Sequence, residues 1–157
     1  MGIEWSEEPD PQDCKRVKEL VSYTGVFSQA EIDCAGELVS DTLSGREIYY
    51  FLFARQEGRL AGYSCFGEVP LTESGFDLYW IAVDPSSKGT GLAAEILRRT
   101  EESARNRSGT YLYAETSSTP QYEAARRFYL KNGFVEAARL KDFYKKGDDK
   151  VIYSKAL

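Results

Sequence analysis

Residues 76–101 constrain this chain more than any other stretch. Phe76, Leu78, Tyr79, Trp80, Ile81 and Val83 are aromatic or aliphatic, which predicts a strand. Pro85 ends it, because proline has no N–H to give to a ladder. Gly89 and Gly91 permit a tight turn with outward amides, and Leu92, Ile96, Leu97 and Thr100 then recur at helical spacing. A strand, a glycine loop and a helix start in succession gather unpaired N–H groups at the positive end of a helix dipole. Such a place attracts anions, and the loop reads as the cradle of a pyrophosphate.

Composition narrows the partners. The chain has 157 residues, enough for one domain with a real core, here expected to span 1–157. A net charge of −5 argues against a nucleic-acid backbone as partner and favours a cationic one. No apolar run of membrane length and no leader pattern stand out, so no membrane partner is expected. Cys14, Cys34 and Cys65 are odd in number and form no C-x-x-C pair, which fits a reduced, cytoplasmic setting. Histidine is absent, so the commonest general base and the commonest zinc ligand are both missing, and no metal is expected.

Along the chain, residues 3–5 read as a short strand, and Asp10-Pro11 opens a helix to about Tyr23. Ser28 and Glu31 form a capping box for a second helix, with Gly45 past its end. Residues 48–54 and 60–69 read as a hairpin turned at Glu57-Gly58. After the 76–101 unit, residues 111–115 form a short strand. Thr119-Pro120 opens a helix that stops at Asn132-Gly133. Residues 134–143 and 151–157 close the chain as a hairpin turned by Gly147-Asp148-Asp149. The order is β-α-α-β-β-β-α-β-α-β-β.

Gly89-Thr90-Gly91-Leu92-Ala93-Ala94 fits the G-x-G-x-x-A form of a dinucleotide fingerprint, with Glu115 at the end of the next strand. Its context is wrong: Asp84 to Lys88 separate the strand from the first glycine, and an antiparallel hairpin precedes it.

Residues 83–93 instead resemble the acyl-CoA loop of the GNAT N-acetyltransferase superfamily, whose pattern is Arg or Gln, two residues, Gly, one residue, then Gly or Ala. Lys88, Gly91 and Ala93 hold those positions, Lys88 in place of Arg or Gln. A second motif, Phe128-Tyr129 followed by Gly133-Phe134, is similar to the family's Phe-Tyr helix and Gly-Phe pair. Tyr122 stands where many members carry an Asn that touches the cofactor arm. The end of the chain, with Asp142-Phe143-Tyr144 and Gly147-Asp148-Asp149-Lys150, resembles a tail of bacterial members.

The resemblance covers nearly the whole chain and implies an α/β (α+β) fold of GNAT type: a mixed, mostly antiparallel seven-stranded sheet with about four helices, splayed between strands 4 and 5. It implies acetyl-CoA as co-substrate, held by Ile81, Ala82, Val83, Lys88, Gly89, Thr90, Gly91, Leu92, Ala93, Tyr122 and Phe128. Backbone at Ile81 and Val83 would pair with the pantetheine arm, and main-chain N–H near Ala82 would face the acyl oxygen. The acceptor is expected to be a primary amine of a small molecule, amino acid or peptide, attacking directly in a ternary complex. Family members are often homodimers.

For chemistry, the resemblance places the Tyr129 hydroxyl near the cofactor sulfur and so implies it as the acid for the departing thiolate; a phenol can do this, and no histidine competes. Two carboxylates compete as base. Asp77 lies beside the apolar Tyr79 and Trp80, where desolvation would raise its pKa; Glu115 ends the fifth strand. Tyr23, Phe27, Tyr49, Tyr50, Tyr79, Tyr113 and Tyr144 are candidates to line the acceptor slot, and Asp142, Asp148 or Asp149 to meet its ammonium. A reading from another class is a catalytically silent acyl-CoA binding or sensing module, which would keep the loop and show no turnover.

Overall fold

A computed structural model describes residues 2–157. The elements run β1 Glu4–Ser6, α1 Asp13–Tyr23, α2 Gln29–Leu43, β2 Tyr50–Gln56, β3 Arg59–Glu68, β4 Gly75–Val83, α3 Leu92–Asn106, β5 Tyr111–Ser117, α4 Glu123–Lys131, β6 Val135–Lys145 and β7 Asp148–Ala156. One seven-stranded sheet has the order β1-β2-β3-β4-β5-β7-β6. Every neighbouring pair is antiparallel except β4 and β5, which run parallel through the crossover helix α3. Among the described residues, no helix is long and apolar enough to cross a membrane.

Alternation along the strands sorts the core into two layers. Leu52, Phe66, Phe76, Leu78, Leu112, Ala114, Val151 and Tyr153 join Leu97 of α3 and Tyr129 of α4 on one face. Phe51, Phe53, Tyr63, Cys65 and Ala82 join Val17, Leu20, Val21, Ala35 and Val39 of α1 and α2 on the other.

Element boundaries depart from the sequence expectation where side chains have other work. Helix α1 begins at Asp13, not at Asp10-Pro11. The Asp13 carboxylate, fully buried, accepts two hydrogen bonds of 2.8 Å from Arg55 on β2 and one from the Asp10 amide, so the chain before it folds back as a turn. Strand β2 starts at Tyr50, and Ile48 remains 75% exposed. Pro120 opens one 3₁₀ turn, Pro120–Tyr122, before α4. Asp148 lies in β7, not in the hairpin turn: it is buried, and Ser117 Oγ donates to it at 2.5 Å. Every residue of β6 is exposed, as an edge strand paired on one side only allows.

Candidate active site

The parallel ladder between β4 and β5 has only four residue pairs, from Gly75 opposite Tyr111 to Leu78 opposite Ala114. Beyond Leu78 the strands part. The cause lies on the other side of β4, where Cys65 pairs with Trp80 and Phe66 with Leu78, leaving Tyr79 as the extra residue of a β-bulge. A bulge bends its strand and increases its twist. It also reverses the alternation. Phe76 and Leu78 face α3, and after the bulge Ile81 and Val83 do so, while Trp80 and Ala82 face α1 and α2.

The Asp84 amide donates to Ala61 on β3 at 2.8 Å. Counting back by the antiparallel alternation, Ala82 also turns its backbone groups to β3, whereas Ile81 and Val83 turn theirs into the gap. The amides near Ala82 that face the opening are therefore those of its two neighbours.

Residues 84–91 carry the chain from this gap to α3. Asp84 accepts from the Ser86 amide at 2.9 Å and the Ser86 hydroxyl at 2.7 Å, and Arg59 pairs with it at 3.0 Å. The Thr90 hydroxyl donates to Ser87 O at 2.5 Å. Gly89 (φ 77°) and Gly91 (φ 83°) adopt the left-handed conformation that side chains resist. A Cβ at either would meet nothing within 4 Å, so the need for glycine is conformational, and the space above the loop is open. The amides of Gly89, Gly91, Ala93 and Ala94 have no hydrogen-bond partner among the described residues, and Lys88, exposed beside them, forms no ion pair there. Leu92 roots the helix start in a small cluster with Ile96, Ala54 and Ala61. Four orphan donors, a lysine and an open backbone suit a diphosphate, and the unpaired edge of β4 suits an extended arm.

Tyr129 is only 7% exposed, with its ring 5.2 Å from Phe134, 5.5 Å from Tyr153 and 5.8 Å from Phe128. It shares a cluster with Leu78 and Ala114, the last rung before the strands part. Its hydroxyl has no hydrogen-bond partner among the described residues, and burial holds its pKa well above the usual phenol range.

On the opposite face lie the charged groups. Asp77, paired across the ladder with Tyr113, is half-buried and has no ion-pair partner among the described residues. Burial raises its pKa, the negative charge of Glu115 adds to this, and Lys150 opposes it. Glu115 is held by Lys150 at 2.9 Å, and the same ammonium sits 4.6 Å from the centre of the Phe143 ring. Tyr79, pushed up to about 12 by burial and by Asp77, packs edge-on to Tyr49 at 5.5 Å. Burial also raises the Tyr144 phenol; Lys150 opposes this, and Glu115, Asp148 and Glu31 add to it.

A bridge crosses from the α1–α2 connection to the β5–α4 turn. Phe27 meets Trp80 at 4.9 Å and Tyr122 at 6.1 Å, and the Gln121 side-chain amide donates to Val26 O. The Tyr122 hydroxyl donates to Glu31 at 3.2 Å, and burial and that carboxylate push its pKa up to about 12. Sequence reasoning found Glu31 only as a cap: its Oε1 accepts from the Ser28 amide at 3.0 Å. The bridge, Lys150 and Phe143 were not legible, because they depend on contacts between distant elements.

Of the candidates for the acceptor slot, Phe27, Tyr49, Tyr79 and Tyr113 lie on the Asp77 face, and Tyr144 meets Phe143, which lies against Lys150. Tyr50 lies on the other face, against Phe66 and Phe76, with its hydroxyl on Glu68 at 3.1 Å. The three hairpin aspartates are engaged elsewhere: Asp142 accepts from the Gly147 amide, Asp149 from the Asp142 amide, and Asp148 from Ser117.

A mixed sheet opened between two parallel strands, with a glycine-turned helix start at the opening, defines an α/β fold built around one extended cleft. The sequence profile of the Acetyltransferase (GNAT) family matches residues 8–134, and the chain belongs to that family. It is 41% identical to a GNAT-family protein from Desulfovibrio desulfuricans, with 99% of each chain covered and a TM-score of 0.96. More distant structures share the fold. An aminoglycoside 6'-N-acetyltransferase complexed with coenzyme A is 15% identical, with 99% of this chain and 97% of that one covered and a TM-score of 0.76. The yncA protein of Salmonella typhimurium, solved with its cofactor acetyl-CoA, is 19% identical, with 100% and 95% covered and a TM-score of 0.75. No curated protein matches the sequence.

Proposed function

We propose that this protein transfers the acetyl group of acetyl-CoA to a primary amine, with both substrates bound together and no acyl group resting on the protein. The observation that carries this reading is the parting of β4 from β5 after Leu78, directly beside a helix start with unpaired amides. Bound acetyl-CoA supplies an activated acyl carbon and a thiolate able to leave.

The chain's own groups fit the remaining work. Lys88 and the amides of Gly89, Gly91 and Ala93 hold the diphosphate, while Thr90, tied to Ser87, fixes the loop and Leu92 anchors it. Ile81 and Val83 pair with the arm through backbone groups turned to the gap. A preorganised amide facing the acyl oxygen is worth roughly 2.7–4 kcal/mol in comparable sites.

Asp77 is the base that the electrostatics favour. It is unpaired and its pKa is raised, whereas Glu115 is engaged by Lys150. Asp77 first takes one proton from the bound ammonium, which frees the nitrogen's lone pair to bond to the acyl carbon. As the carbon–sulfur bond breaks, the sulfur takes the proton of Tyr129, and the second proton shed by the acylated nitrogen restores the phenol, while Asp77 returns its own proton to solvent.

The test is thiol release from acetyl-CoA across a panel of primary amines, alongside calorimetry with acetyl-CoA. Heat of binding together with amine-dependent thiol release is expected. Heat without release for any amine would favour the silent binding module, and no heat at all would overturn both readings.

A further inference from the structure

Three aromatic side chains stand open on the face of the sheet that carries Asp77 and Glu115. Phe143 is 51% exposed, Tyr144 50% and Tyr79 40%. Exposed rings gathered at one place mark a contact surface more often than scattered ones do. Contacts join them: Tyr79 lies two residues beyond Asp77 on β4, Asp77 pairs across the ladder with Tyr113, two residues before Glu115, Glu115 holds Lys150 at 2.9 Å, Lys150 lies against the Phe143 ring, and Tyr144 meets Phe143 edge-on at 5.1 Å.

The charges there are unequally matched. Lys150 neutralises Glu115 at 2.9 Å, so that pair presents little net charge to a ligand. Glu31 is occupied by the Tyr122 hydroxyl and the Ser28 amide. Asp77 alone has neither a cation nor a hydrogen-bond donor of the protein among the described residues. A half-buried carboxylate without a partner is costly unless a ligand completes it.

Resting on the acetyl-transfer reading, we propose that the acceptor is a singly charged primary amine carried on an aromatic or similarly broad apolar body. Its ammonium is received by Asp77, and its body lies between Tyr79, Phe143 and Tyr144. Compact amines leave the rings in water. A polycation places its further charges against rings and against a Glu115 already neutralised.

The experiment compares initial rates with saturating acetyl-CoA for ethylamine, 2-phenylethylamine, putrescine and an aminoglycoside. Burying a phenyl ring is expected to raise kcat/KM for 2-phenylethylamine roughly 100-fold over ethylamine. Phe143→Ala and Tyr144→Ala, at exposed positions where folding tolerates truncation, should each shrink that ratio about ten-fold. The loss should fall on KM for the amine and not on KM for acetyl-CoA. Equal rates for the two monoamines, or a preference for putrescine or the aminoglycoside, would overturn this acceptor class and leave acetyl transfer standing. If acetyl-CoA binds and none of the four is acetylated, nor any other amine, the transfer reading falls and this inference with it.

Discussion

Leu78 faces Ala114 as the last rung between β4 and β5, and the residue after Leu78 is the extra member of a bulge against β3. The coincidence explains why the cleft opens where it does. A strand bent on one side loses its register on the other.

The loop at the cleft makes a first prediction. Gly91 caps α3 at φ 83°, with nothing near its missing Cβ. Gly91→Ala should cost about 1 kcal/mol of stability through backbone strain alone, read as a lower urea midpoint at unchanged slope. The same change should weaken binding of CoA measured by calorimetry, because relaxing the strain re-aims the orphan amides.

Tyr129→Phe separates chemistry from packing. The ring stays in the buried cluster, and the lost hydroxyl made no hydrogen bond to the described residues, so stability should be unchanged or slightly higher. If the phenol is the sole acid, kcat should fall roughly 10²–10⁴-fold. A folded variant with an undiminished kcat removes Tyr129 from the mechanism.

The acid limb of the kcat/KM profile should report Asp77. A base must be ionised, so activity falls as pH drops through its raised pKa. Glu115→Gln removes a negative neighbour and should shift that limb to lower pH. Lys150→Met removes the opposing positive charge and should shift it to higher pH. Asp77→Asn should abolish the limb, and a profile that none of the three alters excludes this carboxylate as base. Stability has its own sign. A carboxyl whose folded pKa is raised contributes most below its unfolded pKa, and that contribution is lost as pH rises through the folded value. Asp77→Asn should therefore resist urea at neutral pH at least as well as the parent protein.

The opposite case is Asp13. Burial alone would raise its pKa, but hydrogen bonds from Arg55, the Asp10 amide and Arg16 outweigh burial and hold it below its usual 3.8. Its contribution is present above that unfolded value and lost as pH falls through the lowered one. Arg55→Ala leaves a buried carboxylate without its main partner and should cost about 3 kcal/mol or more by urea denaturation near neutral pH.

Much of this was legible in local pattern. The order of elements, the capping box at Ser28 and Glu31, and the stop at Gly133 (φ 91°) follow from residues close in sequence. So does the glycine loop, since Gly89 and Gly91 need no distant neighbour to require their conformation. Relations set by tertiary contact were not legible. Nothing local tells that Asp13 turns inward to Arg55, that Asp148 belongs to a strand, or that Tyr122 reaches Glu31 across the molecule. The split between Asp77 and Glu115 is of this kind too, because it turns on where Lys150 of β7 comes to rest.

Among the described residues, four residue pairs join strands β1–β4 to strands β5–β7, so the sheet is built as two leaves sharing a short spine. In the unloaded protein the amide hydrogens of Ile81 and Val83 have no acceptor across the gap and should trade quickly with solvent deuterium, while that of Ala82, turned to β3, should not. An arm that threads the leaves gives those two hydrogens an acceptor. Loading would then register as slowed exchange at alternate positions of one strand, a stripe that ordinary tightening of the whole fold would not produce.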